Sequence, residues 1–204
     1  MIHRVGRAER DAAVATLAAA FTDDVTLRIL EPTDWRRARV ARWFFGCIID
    51  FALRWAQVWA NEDVSAVGIW VPPGSAMTTA RMLRVGIANL PLKVGLRGTL
   101  RLISANAALD RMHHATVRGP HWYMPAVGVR PEARGRGHFG ELLGVGLKSA
   151  DAGRLPCYGE ATSEFSAGLA GRIGFVMKEE RVIGGFTFRA ILRPPQAAGS
   201  TGSG

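Results

Sequence analysis

Cysteine is scarce in this sequence, and the two cysteines form no pattern. Cys47 and Cys157 lie far apart in a chain of 204 residues. Disulfide scaffolds carry many cysteines, and structural zinc sites need closely spaced ligands. The scarcity therefore excludes a disulfide scaffold, argues against a metal site and predicts reduced thiols that fill the core of a cytoplasmic protein.

Long hydrophobic runs are also missing. Arg, Asp, Gly or Pro interrupts each apolar stretch before the roughly 18 to 20 residues that a membrane span needs. Residues 1–20 lack the basic start and the apolar middle of a signal peptide. We therefore expect neither a membrane partner nor export.

The composition excludes a disordered chain, except at its end. Apolar residues make up 48% of the sequence and charged residues 21%, as in ordinary globular proteins. The length fits a single domain, which we assign to residues 1–196. Residues 197–204 (AAGSTGSG) are rich in Gly and Ser and are expected to be a disordered tail or a cloning remnant.

Positive charge exceeds negative charge. Twenty-six Lys and Arg against 17 Asp and Glu give a net charge of +9, which predicts attraction to nucleic acid, an acidic membrane or a polyphosphate cofactor. Much of the excess lies in residues 81–118, where Asp110 is the only acidic residue. No DNA-reading helix pair or aromatic stacking platform is evident, so we expect no nucleic-acid partner.

Hydrophobic spacing predicts an α/β fold with mixed strand directions. The first half of the chain predicts a strand over 2–5, helices over 8–21 and from Thr33 or Asp34 onward, a hairpin of 57–60 and 65–71, and a helical insert over 76–118. In the last third, strand 121–129, helix 137–152 and strand 155–161 form a unit whose strands should be parallel neighbours. A short helix near 167–172 and strands 175–183 and 186–192 follow.

The same spacing assigns a buried face to one of these helices. The helix after Thr33 carries an apolar stripe that begins at Trp35 and is expected to be buried, whereas its arginines, Arg37 among them, are expected to face solvent. In the helical insert, Leu100, Ile103 and Ala107 recur at helical spacing, and Pro91 and several glycines interrupt the pattern.

A glycine-rich loop lies between the strand and the helix of the last third. Its sequence is Arg134-Gly135-Arg136-Gly137-His138-Phe139-Gly140. Backbone N–H groups at a glycine turn, together with the partial positive charge of a helix N-terminus, form an anion site that suits a pyrophosphate. A plain strand-to-helix turn that uses glycine for its geometry is the alternative.

The glycines of this loop also satisfy the dinucleotide-binding pattern G-x-G-x-x-G. Glu160 lies about twenty residues further on, where such folds place a ribose-binding acid. Residues 130–134 separate the strand from the first glycine, however, and too little chain follows for a doubly wound sheet. A nicotinamide or flavin site is therefore disfavoured.

Several segments together resemble the GNAT superfamily of acyl-CoA N-acyltransferases. Residues 121–131 (HWYMPAVGVRP), the glycine loop and Leu142-Leu143 resemble its signature strand and pyrophosphate loop. Residues 155–162 resemble its next strand, and residues 172–175 the end of its following helix. Within the superfamily, the sequence is most similar to the puromycin N-acetyltransferase-like bacterial branch.

The resemblance implies a fold and an activity. It implies a GNAT-like mixed central sheet flanked by helices, splayed between two parallel strands that hold acyl-CoA. The implied reaction moves an acyl group from acetyl-CoA or another acyl-CoA to the amine of a small molecule by direct attack on the thioester. The resemblance implies no metal, and a homodimer is compatible with it.

The resemblance also implies which residues bind the co-substrate. Main-chain groups of Val127, Gly128 and Val129 would pair with the pantetheine arm. Ser166 falls where the family often has an asparagine, and we include it among the co-substrate ligands. The pyrophosphate would be held by the amides of the loop, namely Arg134, Gly135, Arg136, Gly137, His138, Phe139 and Gly140.

The catalytic candidates are Glu160 and Tyr158. Glu160 ends a predicted strand and is the candidate general base, and Tyr158 points to the same face at the two-residue period of a strand. An ion pair of Glu160 with an arginine is the structural alternative. The family's usual tyrosine acid falls at Ala170. Another group such as Tyr158, Ser166 or His138 then donates the proton, the thiolate leaves unaided, or the chain is a CoA-binding protein with lost or altered chemistry.

Two further features bear on the site. Phe139 stands where the family has a small residue, and it is tolerated there if its side chain points into the core. His113, His114 and His121 lack the spacing of metal ligands, so we expect them at the surface or in a substrate pocket.

Overall fold

The computed structural model describes residues 1–196. The segment 197–204, expected above to be a tail or a remnant, lies outside the described residues. The strands are β1 Ile2–Arg4, β2 Gln57–Asn61, β3 Ala66–Val71, β4 Trp122–Val129, β5 Cys157–Ala161, β6 Val176–Ile183 and β7 Phe186–Arg193. They form one seven-stranded sheet in the order β1-β2-β3-β4-β5-β7-β6.

Strand directions in this sheet are mixed. β4 and β5 are parallel, and the other neighbouring strands are antiparallel. The predicted α/β class is therefore confirmed, as is the parallel strand–helix–strand unit.

Seven α-helices surround the sheet in the described part of the chain. They are α1 Arg10–Phe21, α2 Val25–Leu30, α3 Asp34–Trp55, α4 Thr79–Leu83, α5 Leu90–Thr116, α6 His138–Ala152 and α7 Glu164–Gly171. The sequence did not predict α2, which begins where the Asp24 side chain accepts a hydrogen bond from the backbone N–H of Thr26. α5 is the long helix of the predicted insert and is kinked at Gly95. No described helix has the length and apolar character to cross a membrane.

Alternation along β3 shows how the sheet is covered. Val67 and Ile69 pack with α1 and α3 in one core cluster. Trp70 packs in a second cluster with Leu143 and Leu147 of α6. Because successive strand residues point to opposite faces, α1 and α3 cover one face of the sheet and α6 covers the other.

β4 contains a bulge in the middle of the sheet. Its pairing with β3 shifts by one residue between Ile69 and Val71, so that Met124 and Pro125 of β4 lie opposite Trp70 alone. An extra residue of this kind bends the strand and increases its twist. The bulge therefore changes the direction of β4 halfway along its length.

The bulge also exchanges the faces that later β4 residues occupy. Met124 belongs to the cluster on the α6 side, whereas Ala126 belongs to the cluster on the α1 side. In a regular strand these two residues would share a face. Gly128 then lies against α1, where a Cβ would come 2.8 Å from a ring carbon of Phe21. Glycine is required at this position because the backbone of β4 approaches α1 closely.

The predictions for Trp35 and Arg37 are wrong. Trp35 is 78% exposed, because it lies in the first turn of α3, outside the core. Arg37 is buried and forms ion pairs with Asp23 and Asp34. Burying a guanidinium group is tolerated here because these carboxylates and backbone carbonyls accept its hydrogen bonds.

The residues at helical spacing in the insert do not form its buried face. Leu100 and Ile103 are exposed, and Leu102, Ala105 and Met112 form the buried face of α5 instead. α5 is apolar on more than one face, so its spacing alone was ambiguous. Packing against α2 and β6 decided which face is buried.

Candidate active site

The glycine loop presents a row of free backbone donors. The amides of residues 135–140 donate to no acceptor within the described residues. Gly135 and Gly137 have φ angles of +77° and +82°, a left-handed conformation that favours glycine. Gly137 directly precedes α6, whose first N–H groups have no partner inside the helix. Consecutive free donors at a helix N-terminus form an anion site.

Side chains leave this anion site open. No atom lies within 4 Å of the position of a Cβ on any of the three loop glycines. Phe139 packs against the core cluster on the α6 side, so its ring does not fill the loop. Arg134 and Arg136 are exposed beside the amides and add positive charge. The loop therefore suits a diphosphate in both shape and charge.

β4 and β5 separate next to the glycine loop. They pair over three residues only, and the last pair is Met124 with Gly159. Beyond the bulge, β4 continues to Val129 and pairs with β3 alone. The edge of residues 127–129 that faces away from β3 pairs with no other described strand, although the Val129 carbonyl oxygen accepts a hydrogen bond from the Arg134 Nε at 3.3 Å. This edge can bind an extended ligand through its backbone.

Glu160 lies in β5 just past the last residue that pairs with β4. Burial raises the pKa of its carboxyl to about 7; the nearby hydroxyls of Tyr123 and Tyr158 oppose this rise, and Asp110 adds to it. Within the described residues Glu160 forms no ion pair with an arginine or lysine. Its carboxyl therefore exchanges a proton near neutral pH.

Both tyrosines of the chain lie beside Glu160. Tyr123 and Tyr158 are opposite residues of β4 and β5, with ring centroids 5.9 Å apart. Tyr158 is completely buried, and its Oη has no hydrogen-bond partner in the part of the chain that the structure describes. Burial raises the pKa of both phenols, so both keep their protons at neutral pH. The Tyr158 hydroxyl is therefore available to donate a hydrogen bond or a proton.

α5 brings His113 to the same site. The His113 Nε2 lies 2.8 Å from the Nε2 of His121, whose Nδ1 lies 2.7 Å from the Gly119 carbonyl oxygen. A carbonyl only accepts, so His121 carries its proton on Nδ1, and in the neutral pair His113 donates from Nε2. Burial lowers the pKa of His113 to about 4, and His121 and His114 add to this effect. His113 is therefore neutral at physiological pH.

A hydrogen bond joins α2 to the end of β5. Thr162, which directly follows β5, donates to the Asp24 carboxylate at 2.7 Å. Asp24 also accepts from the backbone N–H of Thr26 at the start of α2. This hydrogen bond thereby connects the start of α2 to the end of β5, two segments that are distant in sequence, beside Glu160.

Ser166 and Ala170 lie in α7. The Ser166 hydroxyl is 2.9 Å from that of Ser163, in a capping box at the start of the helix. Its role as a co-substrate ligand stays a prediction. Ala170 is 1% exposed and packs in the core cluster on the α6 side. This position supplies no proton donor.

Sequence reasoning missed three contributors to the site. Tyr123 was recognisable only from its pairing with Tyr158, and Asp24 only from its contact across the fold. His113 was expected at the surface or in a pocket, and the structure places it against Tyr158. Within residues 1–196, no three His, Cys, Asp or Glu side chains are grouped so that they could hold a metal ion.

A scan of the sequence against protein-family models finds no match. Solved structures do match. One described as histone acetyltransferase HPA2 and related acetyltransferase from Corynebacterium glutamicum ATCC 13032 has a TM-score of 0.64 and 22% identity, covering 98% of both chains. An agmatine N-acetyltransferase mutant in its apo form has a TM-score of 0.62 and 17% identity, covering 95% of this chain and 98% of that one. The GCN5-related N-acetyltransferase from Rhodopseudomonas palustris has a TM-score of 0.56 and 14% identity, covering 95% and 94%.

The chain has the GNAT fold. In this GNAT fold the glycine loop follows β4, and Glu160 lies near the carboxyl end of β5. Because β4 and β5 are parallel, both lie at the same end of this strand pair. The expected splayed sheet flanked by helices is confirmed. The residues expected to bind acyl-CoA and to carry catalysis therefore lie on a scaffold that the solved acetyltransferases share.

Proposed function

We propose that this protein is an acyl-CoA-dependent N-acyltransferase that acts on a small-molecule amine. The observation that carries the proposal is the row of free amides at residues 135–140 beside the unpaired edge of β4. Coenzyme A contains a diphosphate and an extended pantetheine arm, which match an anion site and an unpaired strand edge. The fold shared with solved acetyltransferases supports the same activity.

The co-substrate would be held mainly by backbone groups. Residues 134–140 would bind the diphosphate, and the backbone of residues 127–129 would pair with the amides of the pantetheine arm as a neighbouring strand does. Ser166, at the start of α7, is a further proposed contact. Acetyl-CoA, or another acyl-CoA, would supply the activated acyl group as a thioester.

Glu160 would act as the general base. A protonated amine must lose a proton before it attacks a carbonyl carbon, and a carboxylate with a pKa of about 7 takes that proton efficiently near neutral pH. Tyr158 would act as the acid that protonates the leaving thiolate of coenzyme A. Its buried Oη holds a proton and has no hydrogen-bond partner within the described residues. Much of the remaining rate enhancement would come from positioning the two substrates.

A second candidate function is a CoA-binding protein with lost or altered chemistry. Ala170 favours it, because this position is buried and carries no hydroxyl where the family has its usual acid. Under this alternative, the glycine loop would bind coenzyme A, but Glu160 and Tyr158 would not support acyl transfer.

One pair of measurements separates these functions. Calorimetric titration with coenzyme A tests binding, and thiol release from acetyl-CoA with a panel of primary amines tests turnover. We expect binding and turnover in the natural protein, and binding with a strongly reduced kcat in Tyr158→Phe. Binding without thiol release from any amine would favour the CoA-binding alternative. A lack of binding would contradict both.

Further assignments are proposed on the same basis. The resemblance of residues 121–131 supports the puromycin N-acetyltransferase-like branch. Cys47 and Cys157 are both buried free thiols, which supports a cytoplasmic location. The catalytic domain would comprise residues 1–196 as one unit.

A further inference from the structure

A groove lined with arginines lies on the same side of the sheet as Tyr158. It has a volume of about 980 Å³ and lies between α2, the start of α3, α5 and the β6–β7 hairpin. Its apolar lining includes Ala105, Ile183 and Phe186, which belong to or pack against the cluster that buries Tyr158. We call it the arginine groove. Its charged lining residues are Arg28, Arg37, Arg101, Arg111 and Asp34.

Three of the four arginines are not neutralised. Arg37 is buried and already paired with Asp34 and Asp23. Arg28, Arg101 and Arg111 are exposed and form no ion pair within residues 1–196. Like charges that share a concave surface repel one another and focus the potential, so such a groove concentrates anions.

The protein holds one of these guanidinium groups in place. Arg101 donates from its Nε to the carbonyl oxygen of Ile29 at 2.8 Å, at the end of α2. Arg28 and Arg111 make no hydrogen bond to other described residues. Arg101 therefore has a structural role as well, whereas Arg28 and Arg111 are available for a ligand.

The spacing along α5 gives the groove its length. Arg101, Ala105, Ala108 and Arg111 lie on one face of the helix, with the two small residues between the two arginines. Ten helical residues span about 15 Å. His113, two residues beyond Arg111 on α5, stacks on Tyr158 with ring centroids 3.9 Å apart, and Tyr158 is two residues from Glu160 on the same face of β5. The Arg111 end of the groove is therefore nearer to Glu160, and the Arg101 end is farther away.

We propose that the arginine groove binds an anionic group, a carboxylate or a phosphate, on the acceptor amine, so that the amine reaches Glu160 while the anion contacts Arg28 and Arg111. This inference rests on the proposed function, because it assigns the substrate class of the same site. Guanidinium groups bind both anions through charge-assisted hydrogen bonds. An acceptor with a second positive charge would be repelled.

Matched amines of one length test the proposal. 6-Aminohexanoate and 6-aminohexyl phosphate carry an anion, hexylamine carries none, and hexamethylenediamine carries a second amine. With acetyl-CoA, we expect kcat/KM for the better anionic amine to exceed that for hexylamine about tenfold, and the diamine to be poorest. The ratio of kcat/KM for 6-aminohexanoate to kcat/KM for 6-aminohexyl phosphate then identifies which anion is preferred.

Two variants test the arginines directly. Arg28→Gln and Arg111→Gln should each raise KM for the anionic amine several-fold, leave kcat nearly unchanged and leave KM for hexylamine unchanged. Arg97→Gln, on an exposed residue of α5 outside the groove, is the matched control and should change neither value. Raising KCl from about 50 mM to about 300 mM should reduce the preference, because salt screens exposed charges.

These outcomes test the anion-binding role of the groove separately from the proposed acyltransferase activity. Turnover of amines with no preference for an anion, or a preference unaffected by Arg28→Gln and Arg111→Gln, would overturn the groove assignment and leave the acyltransferase proposal standing. If no amine is acylated, calorimetric titration with 6-aminohexanoate and 6-aminohexyl phosphate tests, independently of turnover, whether the groove binds anions. Binding that both variants weaken supports it, and no binding overturns it.

Discussion

The His113 ring lies flat on the Tyr158 ring, with centroids 3.9 Å apart and planes at 12°. This contact joins α5, in the basic insert, to β5, which carries the proposed base and acid. The insert is therefore part of the wall of the site. The same contact buries His113 and removes water from Tyr158, and both effects have measurable consequences.

The buried His113 should make the protein sensitive to acid. In the unfolded chain a histidine gains its proton near pH 6.5, whereas folded His113 stays neutral down to a pKa of about 4, because burial opposes its charge. The unfolded state therefore binds more protons between these values, and stability is lost as the pH falls from about 6.5 to about 4. Because His113 is only partly buried, solvent screens part of this effect, and the loss should be about 1–2 kcal/mol.

Urea unfolding of His113→Phe between pH 4.5 and 7.5 checks this prediction. Phenylalanine keeps a flat ring on Tyr158 but has no group to protonate, so the variant should lose less stability at low pH than the natural protein. His114→Gln, on the exposed neighbouring residue, is the control and should follow the natural protein. Parallel pH profiles for all three proteins would contradict the prediction.

The ionised form of Glu160 should lower the free energy of unfolding at high pH and should support activity in the same pH range. Its folded pKa of about 7 exceeds the usual value of 4.5 because the carboxyl is buried. Between these values the folded state holds a proton that the unfolded state has lost, so stability falls as the pH rises from about 4.5 to about 7. A general base must be ionised, so the rate should rise over the pH range around 7.

Glu160→Gln separates the two effects. The variant should be more stable than the natural protein at pH 8, by up to about 3 kcal/mol, and nearly equal at pH 4.5. Its acyl transfer should fall about 10²- to 10⁴-fold. Urea unfolding and thiol release at a series of pH values provide both measurements. A variant that is less stable at pH 8 would instead indicate that the carboxylate is stabilised by a positive partner.

The geometry of the glycine loop should matter for coenzyme A. Gly135→Ala and Gly137→Ala each place a Cβ on a left-handed residue, at a cost of about 1–2 kcal/mol that the loop relieves by changing shape. We expect the Kd for coenzyme A, measured by calorimetry, to rise about tenfold. Gly144→Ala lies in α6 with open space around it and an ordinary φ, and should leave the Kd unchanged. Equal Kd values for all variants would show that the glycine loop does not bind coenzyme A.

Packing between α6 and the sheet should tolerate no side chain at Gly146. A Cβ there would lie 1.9 Å from Cε2 of Trp70, which is completely buried. Gly146→Ala should therefore destabilise the protein by about 1–3 kcal/mol or more. Gly144→Ala, two residues earlier, should stabilise the helix by about 0.5–1 kcal/mol. Urea unfolding followed by tryptophan fluorescence compares the two, and similar midpoints would contradict the prediction.

Local patterns predicted much of the fold. The order of the strands, the parallel pair and the helices other than α2 agree with expectation, because periodicity and turn chemistry act over a few residues. The burial of Trp35 was predicted wrongly, and the spacing of α5 did not identify its buried face, because apolar spacing does not tell which neighbour covers a helix. The bulge at Pro125 reverses alternation in β4, and nothing in the spacing of the strand indicated it.

The sequence alone placed a glycine turn directly before a helix at residues 135–140 and placed Glu160 near the end of a strand, since such turns and strand ends are defined by their own few residues. Only the tertiary structure decided the proton states of Glu160, Tyr158 and His113. The physical reason is desolvation. The energy of a charge depends on which distant segments exclude water from it, and α5 reaches this site from about fifty residues away in sequence.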